Sequence, residues 1–115
     1  MSKATERAVS DAAALFFALG AGTRLTIVKR LGEGEPLSAT ALGDGARVSR
    51  QAIVKHLRVL EDAGIVNHAP RGREVVYTLD ARRIDEARDF LAGISAGWDR
   101  AIARLRDLVE RKPGQ

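Results

Sequence analysis

Arg50, Gln51, Val54, Lys55 and Arg58 follow one another at the spacing that gathers side chains on one side of an α-helix. Arginine and lysine in that setting read guanine, and glutamine reads adenine, in the major groove of duplex DNA. From Arg47 to Arg58 there are four cationic residues and no acid. The competing reading is a solvated face on an ordinary surface helix. His56 lies toward the flank of the apolar stripe on the helix's other side, and either a phosphate contact or a half-buried structural role fits it.

The helix that would carry these groups is written into Val48–Val66, VSRQAIVKHLRVLEDAGIV. Ser49 is a good N-cap, because its hydroxyl can accept from a free amide of the first turn. Gly64 is a good stop, because glycine enters the left-handed conformation at little cost. Ile53, Leu57, Leu60 and Gly64 form the opposite stripe, with the leucines as its apolar centre. A short helix over 38–46, capped by Ser38 or Thr40 and facing inward with Leu42 and Ala46, is predicted before it. Arg47 and Val48 make the turn between the two. That is a helix-turn-helix, over about residues 38–63.

The neighbouring elements follow from periodicity. Residues 1–4 read as a frayed end and 5–19 as a first helix. Val9, Ala12, Phe16 and Leu19 lie along one side of it. Phe16 and Phe17 cannot both face the core, so one side is expected to meet a partner. Gly20 and Gly22 break this helix, and Thr23 is expected to cap a second one over 24–31, with Leu25, Val28 and Leu31 inward. GEGEP (32–36) is a loop. After Gly64 the period changes: 65–69 and EVVYTL (74–79) read as strands joined at Pro70–Arg73. The hairpin, 65–79, carries Arg71 and Arg73 at its tip, as a wing reaching for the DNA backbone would.

Asp80 caps a last helical region over 80–112. Ile84, Ala87, Leu91, Ile94, Trp98, Ala101, Leu105 and Leu108 alternate at spacings of 3 and 4, the pattern of a helix seam. Ile102 and Val109 widen it, and Gly93 and Gly97 leave its continuity open. So much apolar length is hard to bury in one copy of a 115-residue chain. The expected partner is a second copy, meeting through Ala12, Phe16, Leu91, Ile94, Trp98, Leu105 and Leu108. Residues 113–115 read as a tail.

Composition agrees with a single domain over 1–115. There are 19 Lys+Arg against 15 Asp+Glu, for a net +4. Residues 49–79 hold five cations and three acids, while 1–48 hold six and five, and 80–115 eight and seven, so the excess peaks on the helix and wing. A basic balance alone would equally suit a membrane surface or an acidic partner. The chain has no cysteine, which removes disulfides, thiolate metal sites and cysteine nucleophiles, and fits a cytoplasmic protein. No run is long enough to span a bilayer. Ala12–Ala21 is apolar enough to mimic a signal core, but Glu6 and Asp11 interrupt its leader. There is no glycine-rich phosphate loop and no nucleophile–base pair. Asp85, Glu86 and Asp89 alternate with arginines as solvated ion pairs do, so an enzyme is not expected.

With these elements in place the chain resembles the ArsR/SmtB-type winged-helix repressors. The resemblance is carried by ALGAGTRLTIVKRL (18–31), the 48–66 run, RGREVVYTLD (71–80) and GWDRAIARLRDLVE (97–110), and covers nearly all of 10–111. It implies a mainly α fold with a β-hairpin wing, dimerising through its N- and C-terminal helices, that binds a short imperfect palindrome in double-stranded DNA. Carried over by position, Arg50, Gln51, Val54 and Lys55 would face bases, Ser49 would cap and touch phosphate, and Arg71 and Arg73 would serve the wing. The sequence departs from the metal-sensing members. LSATAL (37–42) has no Cys-x-Cys pair, the terminal helix has no histidine, and His56 and His68 make no ligand set. No metal or cofactor is expected, and a small-molecule or protein effector stays unidentified. Ala21-Gly22 stands where the family often has Asp-Pro. The other class of function that the elements allow is a protein-interaction module with incidental DNA binding.

Overall fold

Three serines and an aspartate open four of the helices in a computed structural model that describes residues 2–110. Ser2 Oγ accepts from the Thr5 N–H at 3.1 Å and starts α1, Lys3–Leu19, so Lys3 and Ala4, expected to fray, are helical. Ser38 Oγ accepts from the Ala41 N–H at 3.1 Å and starts α3, Ala39–Gly43. Ser49 Oγ accepts from the Ala52 N–H at 3.1 Å and starts α4, Arg50–Asp62. Asp80 Oδ1 accepts from the N–H groups of Arg82 and Arg83 at 3.0 and 3.3 Å, at the start of α5, Ala81–Glu110. The exception is α2, Gly22–Leu31. Its N-cap is Ala21 in extended backbone with no side-chain bond, so Thr23 lies inside the first turn and is not the expected cap.

The end of α4 is a Schellman motif. Gly64 has φ +76°, its N–H donates to Glu61 O, and the Ile65 N–H donates to Leu60 O, both at 2.9 Å. Ile65 and Leu60, which the motif brings together, are both fully buried. That reversal sends the chain straight into β2, Val66–Arg71, which pairs antiparallel with β3, Glu74–Leu79, from Val66↔Leu79 to Arg71↔Glu74. Only Gly72 and Arg73 remain between the strands, so the turn is tighter than the four residues expected. Gly72 has φ +64° and Arg73 does not share the positive φ, as a type II′ turn requires. Pro70 is accommodated inside β2 because β2 is an edge strand, in the order β1-β3-β2. The two-residue β1, Leu37–Ser38, pairs with Tyr77 and Val76 of β3 and was not foreseen.

The core lies where α1, α2, α4 and the base of the hairpin converge. Leu15, Ile27, Ile53, Leu57, Leu60, Ile65 and Val66 are its largest fully buried side chains. On α2, Ile27 and Leu31 turn inward, while Leu25, expected inside, is 53% exposed. Gly43 ends α3, so Ala46 falls in the following turn and is exposed.

Beyond the core, α5 runs on as one 30-residue helix through Gly93 and Gly97. Residues 111 and 112 of the expected terminal helix, with the tail 113–115, lie outside the described residues. Ile84 and Ala87 pack on the core, and the Phe90 ring meets Phe16 at 6.1 Å between centroids. The rest of the helix projects, giving extents of 76 × 33 × 22 Å.

Candidate nucleic-acid interface

Burial of Ile53, Leu57 and Leu60 fixes which way α4 faces. With that stripe at 0–1% exposure, Arg50, Gln51, Lys55 and Arg58 are exposed on the other side. Val54 is half-buried beneath them. No acid stands in the first turn of α4, so nothing there neutralises its cations or its positive helix end. Ser49 is exposed at the same end, its hydroxyl already accepting from the Ala52 N–H.

The hairpin rises beside this helix. Arg71 and Arg73 are both exposed at its tip. A cleft of about 510 Å³ separates the wing from the start of α4, with Thr40, Arg50, Val54, Arg73 and Tyr77 among its walls. Arg50 from the helix and Arg73 from the wing therefore face one groove. Thr40 and Tyr77, which belong to other elements, were not expected from the sequence to line this site. His68 of β2 bonds through Nδ1 to Glu61 Oε1 near the end of α4, and so ties the wing to the helix.

His56 does not lie on the face of α4 that Arg50, Gln51, Lys55 and Arg58 share. At about 100° per residue it lies about 160° round α4 from Arg58. It is half-buried, and its Nδ1 is 3.3 Å from Arg24 Nη1. Of its two readings, the structural one is the one the geometry supports.

Three further arginines hold the frame. Arg24 donates from Nε to Ala18 O and from Nη2 to Phe17 O, at the end of α1. Arg30 donates from Nη1 to Ala41 O and Leu42 O at 3.0 and 3.1 Å, closing the end of the short, glycine-containing α3. Arg83 donates to Ala63 O at the end of α4, to Asp11 O of α1, and to Glu86. Each guanidinium thus meets the carbonyl end of another helix, where a cation is favoured.

The expected contact residues of a second copy divide in two. Ala12 is 8% exposed and Phe16 leans on Phe90, so the chain's own packing covers much of what they would offer. Phe17, at 76% exposure, is the free ring of the pair. On α5, Leu91, Ile94, Trp98, Leu105 and Leu108 are 46–66% exposed, and none of its residues is buried. Among the described residues no three His, Cys, Asp or Glu side chains are grouped to hold a metal ion. Among the described residues no single helix is long and apolar enough to cross a membrane.

Residues 19–69 match the model of a helix-turn-helix domain. The chain is 38% identical over 93 residues to the HTH-type transcriptional regulator Rv2034 of Mycobacterium tuberculosis, covering 81% of this chain and 83% of the relative. It superposes on an ArsR-like transcriptional regulator from a Rhodococcus species with a TM-score of 0.77 and 35% identity, over 90% of this chain and 97% of that one. The fold is also that of a homodimeric winged helix-turn-helix DNA-binding domain from Mycobacterium bovis, with a TM-score of 0.66 and 22% identity, over 90% of this chain and 93% of the other.

Proposed function

Since the chain belongs to the ArsR-type winged helix-turn-helix transcriptional regulators, we propose that it is a homodimeric repressor acting on double-stranded DNA in the cytoplasm. Two copies of α4 enter successive major grooves of an imperfect palindrome, about one helical turn apart. Arg50, Gln51, Val54 and Lys55 face base edges. Ser49, Arg58, Arg71 and Arg73 serve the phosphates and the wing's groove. The observation that carries this reading is the acid-free cationic face of α4, held outward by the wholly buried Ile53, Leu57 and Leu60.

Dimerisation is supported by the shape of the single chain. Its radius of gyration is 19.9 Å, against about 13 Å for a compact domain of this length. The excess is the projecting part of α5, a helix about 45 Å long, on which Leu91, Ile94, Trp98, Leu105 and Leu108 stay 46–66% exposed. A second copy of the same helix offers a matching surface.

The test is fluorescence anisotropy on the DNA upstream of the protein's own coding sequence and on a scrambled duplex, across a salt series. The expected result is a preference of about a hundredfold or more for the native sequence, with affinity falling steeply as salt rises. Equal, weak binding to both, together with a different protein co-purifying on α5, would favour an interaction module instead.

A further inference from the structure

Arg24 stands in the first turn of α2, where the chain turns by 97° out of α1. Its guanidinium spans three elements. Nε and Nη2 hold the Ala18 and Phe17 carbonyls in the last turn of α1, and Nη1 reaches His56 Nδ1 on α4. Arginine has donors only, so in this contact Nδ1 is the acceptor. The bridge contains no carboxylate. Its cation is held by the negative end of α1 and by an imidazole lone pair.

We propose that Arg24 is a positioning residue for DNA reading, and that it acts through His56. The apolar contacts of Ile53, Leu57 and Leu60 press α4 onto the core, but apolar attraction is not directional. A guanidinium anchored at two carbonyls is directional, and it fixes the rotation of α4 against the end of α1. Base contacts by Arg50 and Gln51 tolerate only about 10–20° of misplacement. Losing the bridge therefore costs sequence discrimination more than total affinity, because no phosphate-binding cation is removed. The last turn of α1 also carries Phe17, the exposed ring that a second copy can cover. Dimer assembly and the pose of the reading helix thus meet at one guanidinium.

The consequence for DNA rests on the proposed function, whereas the positioning of α4 does not, so the test has two arms. The variants are H56L, which removes the acceptor; H56N, whose Oδ1 takes the place of Nδ1; R24K, which keeps the charge but not the fork; and R24K/H56L. In the first arm, backbone amide exchange is measured on the full-length protein without DNA. Protection of α4 should fall in H56L and R24K and return in H56N. In the second arm, anisotropy compares the upstream and scrambled duplexes. The preference should fall about tenfold in H56L and R24K. It should recover to within about threefold in H56N and fall no further in the double variant. Affinity for the scrambled duplex should stay level throughout.

Unchanged preference in H56L and R24K would overturn the proposal. So would equal losses in H56N and H56L, or additive losses in the double variant. If H56L does not fold, H56N and R24K decide the matter, since both retain polarity and size. If the unaltered protein shows no preference between duplexes, the repressor reading fails, and the exchange arm alone still judges Arg24.

Discussion

Arginine does two jobs in this chain, and its partners tell them apart. Arg24, Arg30 and Arg83 give their donors to helix-end carbonyls. Arg50, Arg71 and Arg73 make no ion pair or side-chain hydrogen bond among the described residues and face solvent. On the proposed function the second group is the one that meets DNA, and its members should not be equivalent. Gln51→Ala and Arg50→Ala should relax base preference at particular operator positions, by about 1–3 kcal/mol of discrimination each. Arg73→Ala should weaken all duplexes alike and lower the slope of log affinity against log salt by about 1. A panel of single-base operator variants titrated at several salt concentrations separates the two. If Arg50→Ala and Gln51→Ala both kept the wild-type base ranking, the reading face is misplaced. Arg50 was legible because it lies in an acid-free run opposite an apolar stripe, and Arg71 and Arg73 because they flank the glycine of a hairpin turn. The anchoring arginines were not, because their acceptors are backbone carbonyls, which every residue has and no residue type signals.

The same contrast holds for whole elements. Ser49, Gly64 and Asp80 declared the ends of α4 and the start of α5 because capping chemistry is local, and a few residues contain all of it. Where tertiary contact decides, the sequence was a poorer guide. Leu37–Ser38 is too short to show a period, and it becomes a strand only because β3 lies beside it. Leu25 looked inward by its spacing from Val28 and Leu31, but the buried side of α2 runs through Ile27 and Leu31 and leaves Leu25 outside. The cap of α5 also makes a prediction about pH. The Arg83 N–H, then the Asn67 side chain and the Arg82 N–H, hold the Asp80 carboxyl below its ordinary value of 3.8. A carboxylate lowered on folding adds stability that is present above about pH 4 and is lost as pH falls through the folded value. Asp80→Asn keeps the cap but not the charge. The difference in stability between the native protein and this variant should therefore be level from pH 7 to about 5 and shrink as the pH falls below about 4. Denaturant melts followed by circular dichroism measure it. A difference that stays constant down to pH 2 would mean that the charge contributes nothing to the start of α5.

The proportions of the whole molecule, 76 Å in one direction and 22–33 Å in the others, are what the proposed second copy would account for. A helix that leaves the core and carries Leu91, Ile94, Trp98, Leu105 and Leu108 into solvent exposes a stripe that monomers do not tolerate well. In the proposed dimer, pairing two such helices would bury the stripe and place the reading helices at a fixed separation, which predicts binding to a palindrome and not to a single half-site. Trp98 is the only tryptophan in the chain and is 66% exposed in a single copy, so its emission reports this step directly. On dilution from micromolar to nanomolar protein the emission should shift to the red as the dimer parts and water reaches the indole. Leu91→Glu with Leu105→Glu should shift it to the red at every concentration, and sedimentation should give the mass of one chain. Charged groups facing each other across the seam cost more than the seam's apolar contacts return. The same double variant keeps α4 and the wing intact, so its weak binding to random duplex should persist while its preference for the palindrome collapses. Retention of that preference by a monomer would show that a single reading helix and wing suffice, and that the long helix serves some other partner.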